Sequence, residues 1–323
     1  MSYGQKTHVA LSFQNSWDTA NVSSLYHIQH IEESVGLNIP PLKDGSARGV
    51  FDEGDSYQGP RTVDGDFIIN AKSIPLGVLC RGYFGAATVT QENSASVFNH
   101  VFKSAQADFD EFSAHDPMSY FKYMDDGGSA SLFYNLNIGA MEFGAENGEF
   151  LTAKASFVGG KFSQNADIAA SYPTGKRFTW DVSSLQINGV TNGNLKALSI
   201  VSDDSLEPMH TINNSPYPSH VLRSAERVIE VSGTIIFKNQ TEWQKFIAGT
   251  EQPFKASFGG VTAISSGYID EIILEMPALR YSEFKPVGAG PGKTEVGFTA
   301  EAKYHTGSAT ALQVTLTNTQ AVY

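Results

Sequence analysis

Residues Ser224–Gly249 read SAERVIEVSGTIIFKNQTEWQKFIAG. In the first half, Glu226, Val228, Glu230, Ser232 and Thr234 fall on one face, and Ile229, Val231, Gly233, Ile235 and Phe237 on the other. Side chains along a strand alternate with period two, so this is a long strand with one apolar face. Lys238-Asn239-Gln240 breaks the pattern. Thr241 then stands three residues before Gln244, a capping-box spacing that predicts Thr241 as the helix cap. Trp243, Phe246 and Ile247 share one face of the short helix that follows, and Gly249 can end it.

The same unit occurs earlier. Gly65-Asp66-Phe67-Ile68-Ile69-Asn70 aligns without gaps on Gly233-Thr234-Ile235-Ile236-Phe237-Lys238, an offset of 168 residues (from 65 to 233). That offset puts Ser73 on Thr241 as cap and Val78-Leu79 on Phe246-Ile247 as a buried pair. Pro75 falls in the first helical turn, where a missing N–H is harmless, and Gly82 marks the predicted stop. Val63, Gly65, Phe67 and Ile69 point inward, while Thr62, Asp64 and Asp66 match Glu230, Ser232 and Thr234. The offset is about half of 323 residues, which implies a tandem duplication. The predicted division is 1–165, a linker at 166–180, and 181–323.

A chain this long buries a sizeable core. Only 17% of residues are charged, and Gly, Ser, Thr and aromatic residues are plentiful, which favours strands and turns. The formal net charge of −12 argues against a protein that grips nucleic acid, since that needs Lys and Arg against phosphate. It does not argue against a conduit. The one cysteine, Cys80, falls on the predicted helix as a small buried hydrophobe. No signal peptide or membrane span is legible, so synthesis and folding in a cytosol are expected.

In chain order, 8–22 is too irregular to assign and 23–31 reads as a strand. Residues 32–60, with Pro40, Pro41, Gly45, Gly49, Gly54, Gly59 and Pro60, form a long loop. Residues 203–222, with Asp203, Asp204, Pro208, Pro216 and Pro218, repeat that situation before the second long strand. Strands are expected at 87–90, 100–103 and 119–124. Residues 132–143 and 149–158 make a hairpin around Asn147-Gly148. Further strands are expected at 253–258, 268–275, 294–304 and 311–317, so the class is mainly β.

Catalytic readings fail on spacing. Gly288–Thr294 looks like a phosphate loop, but Val287 occupies the position of its first glycine and a strand pattern follows. His27 and His30 lie three apart on a strand and so point to opposite faces, unsuited to one metal. Asp125-Asp126 and Asp203-Asp204 are acidic turn pairs with no basic partner nearby in the pattern. No enzyme, cofactor or metal is expected.

Three stretches, in this order, resemble the tail tube proteins of long-tailed, non-contractile bacteriophages. They are Arg61–Phe67 running into the 73–82 helix, the hairpin from Tyr134 to Gly160, and Gly297–Ala302 continuing to Leu316-Thr317-Asn318. The resemblance covers nearly the whole chain except 104–118 and the stretch around 172–180. It implies two tandem split β-barrel or sandwich modules, each with a short flanking α-helix. It also implies a structural virion protein, assembled in the host cytoplasm, whose rings stack into a tube that conducts DNA during genome ejection. Two other classes stay open, a β-sandwich receptor-binding or tail-fibre module and a β-rich hydrolase.

On this reading Thr62, Asp64, Asp66, Glu226, Glu230, Ser232 and Thr234 face the lumen. The long loops, with Pro40, Pro41, Asp44, Arg48, Asp52, Glu53, Asp204, Pro208, Pro216 and Pro218, lie between rings. The implied partners are further copies of the chain, as homotrimeric rings of pseudo-sixfold order, with tail terminator, baseplate or distal tail, and tape-measure proteins. DNA transits without specific binding, and no membrane is involved.

Overall fold

A computed structural model describes residues 6–46, 52, 54–92, 96–104, 106, 116–124, 129–265, 267–286 and 294–323. The first half of the chain contains β1 (His8–Phe13), β2 (Tyr26–Ile28), β3 (Glu32–Glu33), β4 (Gly36–Asn38), β5 (Pro41–Lys43), β6 (Ser56–Gln58) and β7 (Thr62–Asn70). After α1 (Ser73–Phe84) come β8 (Thr88–Gln91), β9 (Phe98–Lys103), β10 (Met118–Tyr123), β11 (Ser129–Glu146) and β12 (Thr152–Ala166). The second half contains β13 (Phe178–Ile187), β14 (Val190–Thr191), β15 (Leu195–Asp203), β16 (Leu206–Met209), β17 (His220–Arg223) and β18 (Val228–Ile236). It continues through α2 (Thr241–Ala248), β19 (Gln252–Ser265), β20 (Tyr268–Phe284), β21 (Glu295–Ala302) and β22 (Gln313–Asn318). The fold is mainly β and sandwich-like, and its sheets do not close into a barrel.

The two repeated strands fold as their alternation requires. Val63, Phe67 and Ile69 are buried and Asp64 is exposed; Ile229, Val231 and Ile235 are buried and Glu230 is exposed. Gly65 and Gly233 occupy the same place in both copies. Phe157 stands opposite Gly65 on β12, and Phe298 opposite Gly233 on β21. On the other side the chain comes too close for a side chain: a Cβ on Gly65 would lie 2.6 Å from the Ser34 carbonyl, and one on Gly233 would lie 2.5 Å from that of Ala197.

An unbroken antiparallel wall runs β4–β7–β12–β11–β15–β18–β21–β20. β11 and β20 are long enough to serve two layers, each passing an irregularity, at Ile138/Ala140 and at Tyr281/Glu283. Their N-terminal parts join back layers, β2–β1–β10–β11 in the first half and β8–β9–β22–β20–β19–β13–β14 in the second. β8 and β9, from the first half, thus lie in the second half's back layer. One hydrophobic cluster, from Val9 to Tyr323, fills both halves.

The helices begin where the repeat places them, but their caps differ from expectation. Ser73 and Thr241 are the first helical residues; Lys72 and Gln240 hold the cap positions, and neither makes a side-chain capping bond. Asn239 Oδ1 instead accepts from the Thr241 N–H at 3.1 Å, so the polar turn supplies the acceptor expected of the threonine. α1 runs two residues past Gly82 and is buried along nearly its whole length. α2 is short and peripheral: Trp243 packs near Phe246 and Phe284, but Ile247 faces solvent. Gly249 ends it in the left-handed conformation, φ 61°.

The expected linker is partly strand. β12 continues to Ala166, and only 167–177 lies outside regular structure, before Phe178 bonds to the backbone of Ala71 and Leu151. Residues 23–31 contain a three-residue strand instead of a long one, and the 8–22 stretch supplies β1. Asp125, Asp126 and the Gly288–Lys293 loop lie outside the described residues.

Candidate conduit face and stacking loops

The wall has a polar face whose residues follow from the strand register. One row across it is Ile68, Lys154, Glu142, Val201, Glu230, Glu301 and Arg280; the next is Asp66, Ser156, Ala140, Asp203 and Val228. Asp64, Ser199, Ser232, Thr234 and Thr299 complete the pattern by parity. The carboxylates Asp64, Asp66, Glu142, Asp203, Glu230 and Glu301 outnumber Lys154 and Arg280 in these rows, so the face is acidic. Thr62 is half-buried at its margin. Glu226 is exposed but precedes β18, so it stands at the strand's entry and not within it.

Several groups on this face have partners within it or beside it. Lys154 Nζ lies 2.9 Å from Asp66, and Ser156 Oγ donates to the same carboxyl at 2.6 Å. Partial burial pulls the Asp66 carboxyl up, and these two partners outweigh it and hold it below the usual carboxylate value. Ser199 donates to Glu142 at 2.9 Å. Lys154, Ser156, Glu142, Ser199 and Thr299 carry no signal of their own in the sequence; pairing to β7 and β18 identifies them.

Both long loops leave the wall at the same end, between β4 and β7 and between β15 and β18. Each is built around a hairpin that its Pro and Gly content hid. In the first, Leu42 faces Tyr57 across β5–β6, with Pro40, Pro41, Asp44 and Asp52 exposed; Arg48 and Glu53 lie outside the described residues. In the second, Leu206 to Met209 pairs with His220 to Arg223. Pro216 is exposed, and its carbonyl accepts from the Arg61 N–H at 2.7 Å. Pro208 is half-buried and Pro218 buried, so neither projects as a loop residue would.

Asp204 is the larger correction. It is fully buried and has the basic partners that its sequence neighbourhood lacks. Arg223 and Arg227 both donate to its Oδ2 at 3.1 Å, Arg227 Nε also reaches Oδ1, and the Tyr83 hydroxyl donates to Oδ1 at 3.0 Å. Tyr83 also lies 2.6 Å from Ser202 Oγ. One carboxylate thus ties both roots of the second hairpin to α1. Charged partners on a buried carboxylate replace the water it loses.

A family model described as "Phage tail tube protein" matches residues 4–317. The chain belongs to that family. Membership makes it a structural protein of the virion tail, assembled into a tube with other phage tail components. A search of curated proteins found no match. Among the described residues of this tail tube family member, no helix is long and apolar enough to cross a membrane. No group of three or more His, Cys, Asp or Glu could hold a metal there.

Proposed function

We propose that the chain forms closed rings of three copies that stack into the tail tube, and that DNA passes through the bore during genome ejection. The observation that carries this is the joint between β11 and β15. Residues 140–146 pair with 197–203 through seven register positions, so the two halves already join edge to edge as neighbours in a barrel wall would. One chain is then an arc of two modules, 1–165 and 181–323 with 166–180 between them, and three chains supply six. Rings of identical chains obey cyclic symmetry, here threefold with an approximate sixfold repeat.

The polar face lines the bore in this reading, with Thr62, Asp64, Asp66, Glu226, Glu230, Ser232 and Thr234 among its residues. An acidic wall repels phosphate, so a duplex slides without sticking. The hairpin loops lie between rings. Tail terminator, distal tail or baseplate, and tape-measure proteins complete the assembly, which takes place in the host cytoplasm. No catalytic step is assigned. Mass per ring in purified tubes tests the reading: about three times 34.9 kDa is expected, and twice that amount overturns it.

A further inference from the structure

One carboxylate bridges a lysine and an asparagine on neighbouring strands. Asp18 lies in the connection from β1 to β2, Asn135 in β11 and Lys161 in β12. Lys161 pairs with Tyr134, so it stands beside Asn135 across the ladder. Asp18 Oδ1 lies 2.7 Å from Lys161 Nζ and accepts from Asn135 Nδ2 at 2.6 Å. The oxygen of the same amide is held as well: Asn135 Oδ1 accepts from the Asp18 N–H at 2.9 Å and from Gln14 Nε2 at 3.2 Å. Those donors fix which amide atom is oxygen. Asn135 and Gln14 are buried, and Gln14 Oε1 accepts from the Asn135 N–H at 2.6 Å. The backbone is unusual in both strands here, with φ of 59° at Asn135, 107° at Gly159 and 86° at Gly160. Strained backbone collects at sites that do chemistry.

We propose that Lys161 and Asn135 join in an isopeptide bond that the chain forms by itself, with Asp18 as the proton carrier. An amine attacks an amide only as the free base, and only when the amide is polarised and held against it. Asp18 meets the first condition. Partial burial pulls its carboxyl up, but Lys161 and Asn135 outweigh that and hold it below the usual value, so it is ionised and open to a proton from Nζ. The second condition is met by the two N–H donors on Asn135 Oδ1, which already point where negative charge gathers during attack. Nζ bonds to Cγ, and the Cγ–Nδ2 bond breaks. Of the three protons on the lysine ammonium, one stays on the new amide and two pass by way of Asp18 to Nδ2, which departs as ammonium. Nothing is oxidised or reduced. The Asp18 side chain is 53% exposed, so the ammonium has a way out. The bond closes the β11–β12 hairpin covalently beside the place where β11 leaves the wall for the back layer, and it constrains the unfolded chain as a disulfide does. All three residues belong to the first half of one chain, so the crosslink is independent of the ring reading.

The test is mass spectrometry of the full chain after incubation at pH 8. Wild type should be lighter than its sequence mass by one ammonia. A digest should contain one branched peptide that joins the stretch around Asn135 to the stretch around Lys161. Lys161→Arg keeps a cation beside Asp18 and should hold the full sequence mass with an unchanged circular dichroism spectrum. Asn135→Gly tolerates the left-handed backbone and should do the same. Asp18→Asn leaves both reacting groups in place and should link roughly a hundredfold more slowly. Wild type with no branched peptide overturns the proposal, and so does an ammonia loss that persists in Lys161→Arg. Linking of Asp18→Asn at the wild-type rate overturns Asp18 as the proton carrier.

Discussion

Gly65 lies directly against Ser34. Its φ of 143° is open to glycine and strained for other residues, and the Ser34 carbonyl fills the space where a side chain would begin. Gly233 meets Ala197 in the same way without the unusual φ. Gly65→Ala is therefore expected to destabilise the fold by about 1–3 kcal/mol, and Gly233→Ala by less. Thermal melts of both variants check the order; equal, negligible losses would contradict the close approach.

The carboxylate at Asp204 predicts an asymmetric mutational response. Removing one partner of a buried charge costs about 3–5 kcal/mol, so Arg227→Met should lower the urea midpoint strongly. Tyr83→Phe removes one donor to the same carboxylate and leaves both guanidinium groups in place, so it should cost less, about 1.5–3 kcal/mol. If Tyr83→Phe proves the worse of the two, the ion pairs are not what holds the hairpin roots.

Acid should weaken the protein before its carboxylates titrate. Burial holds His27, His30 and His100 below the ordinary histidine value of 6.5. The Nδ1 atoms of His27 and His100 meet no partner. A folded-state value below the unfolded one means the native state binds fewer protons, so stability is full above pH about 6.5 and falls as pH drops below it. Melting temperature should be level from pH 8 to 7 and decline toward pH 5. His100→Gln should flatten that decline, and an unchanged slope would remove His100 from the account.

On the proposed assignment of the acidic face to the bore, its charge predicts how a tube treats DNA. Asp64, Glu226 and Glu230 are exposed, so Asp64→Lys with Glu226→Lys and Glu230→Lys should leave assembly intact. The resulting tubes should hold duplex DNA at low salt and release it as salt rises, with the log–log slope of counterion release. Tubes that never retain DNA would move the bore to another surface.

The repeat was readable because two strands and two helix starts obey one offset, and because Gly65 and Gly233 answer the same backbone crowding. β15 is hard to read from the sequence because Leu198, Ile200 and Ser202 alternate inward while Ser199, Val201 and Asp203 alternate outward, so neither face is cleanly apolar. The hairpins are hidden in the sequence because Pro40, Pro41, Pro208 and Pro218 signal breaks, while pairing is decided by residues further along the chain. Asp204 looked like a solvated turn residue, since Tyr83 comes from 121 positions away and Arg223 and Arg227 about twenty onward. The acidic character of the wall was visible on β7 and β18, but its middle strands borrow their facing from them.

The crossing of β9 to β22 sets a timetable for folding. Lys103 pairs with Gln313, so that ladder joins residues 210 positions apart. During synthesis the β8–β9 ribbon emerges with no strand to receive it, and it waits until almost the entire second half has left the ribosome. α2 leads through Gly249–Glu251 straight into β19, so the second half extends no such ribbon toward the first. The first half therefore completes its fold only after the second has begun its own, and contacts this distant in sequence form slowly.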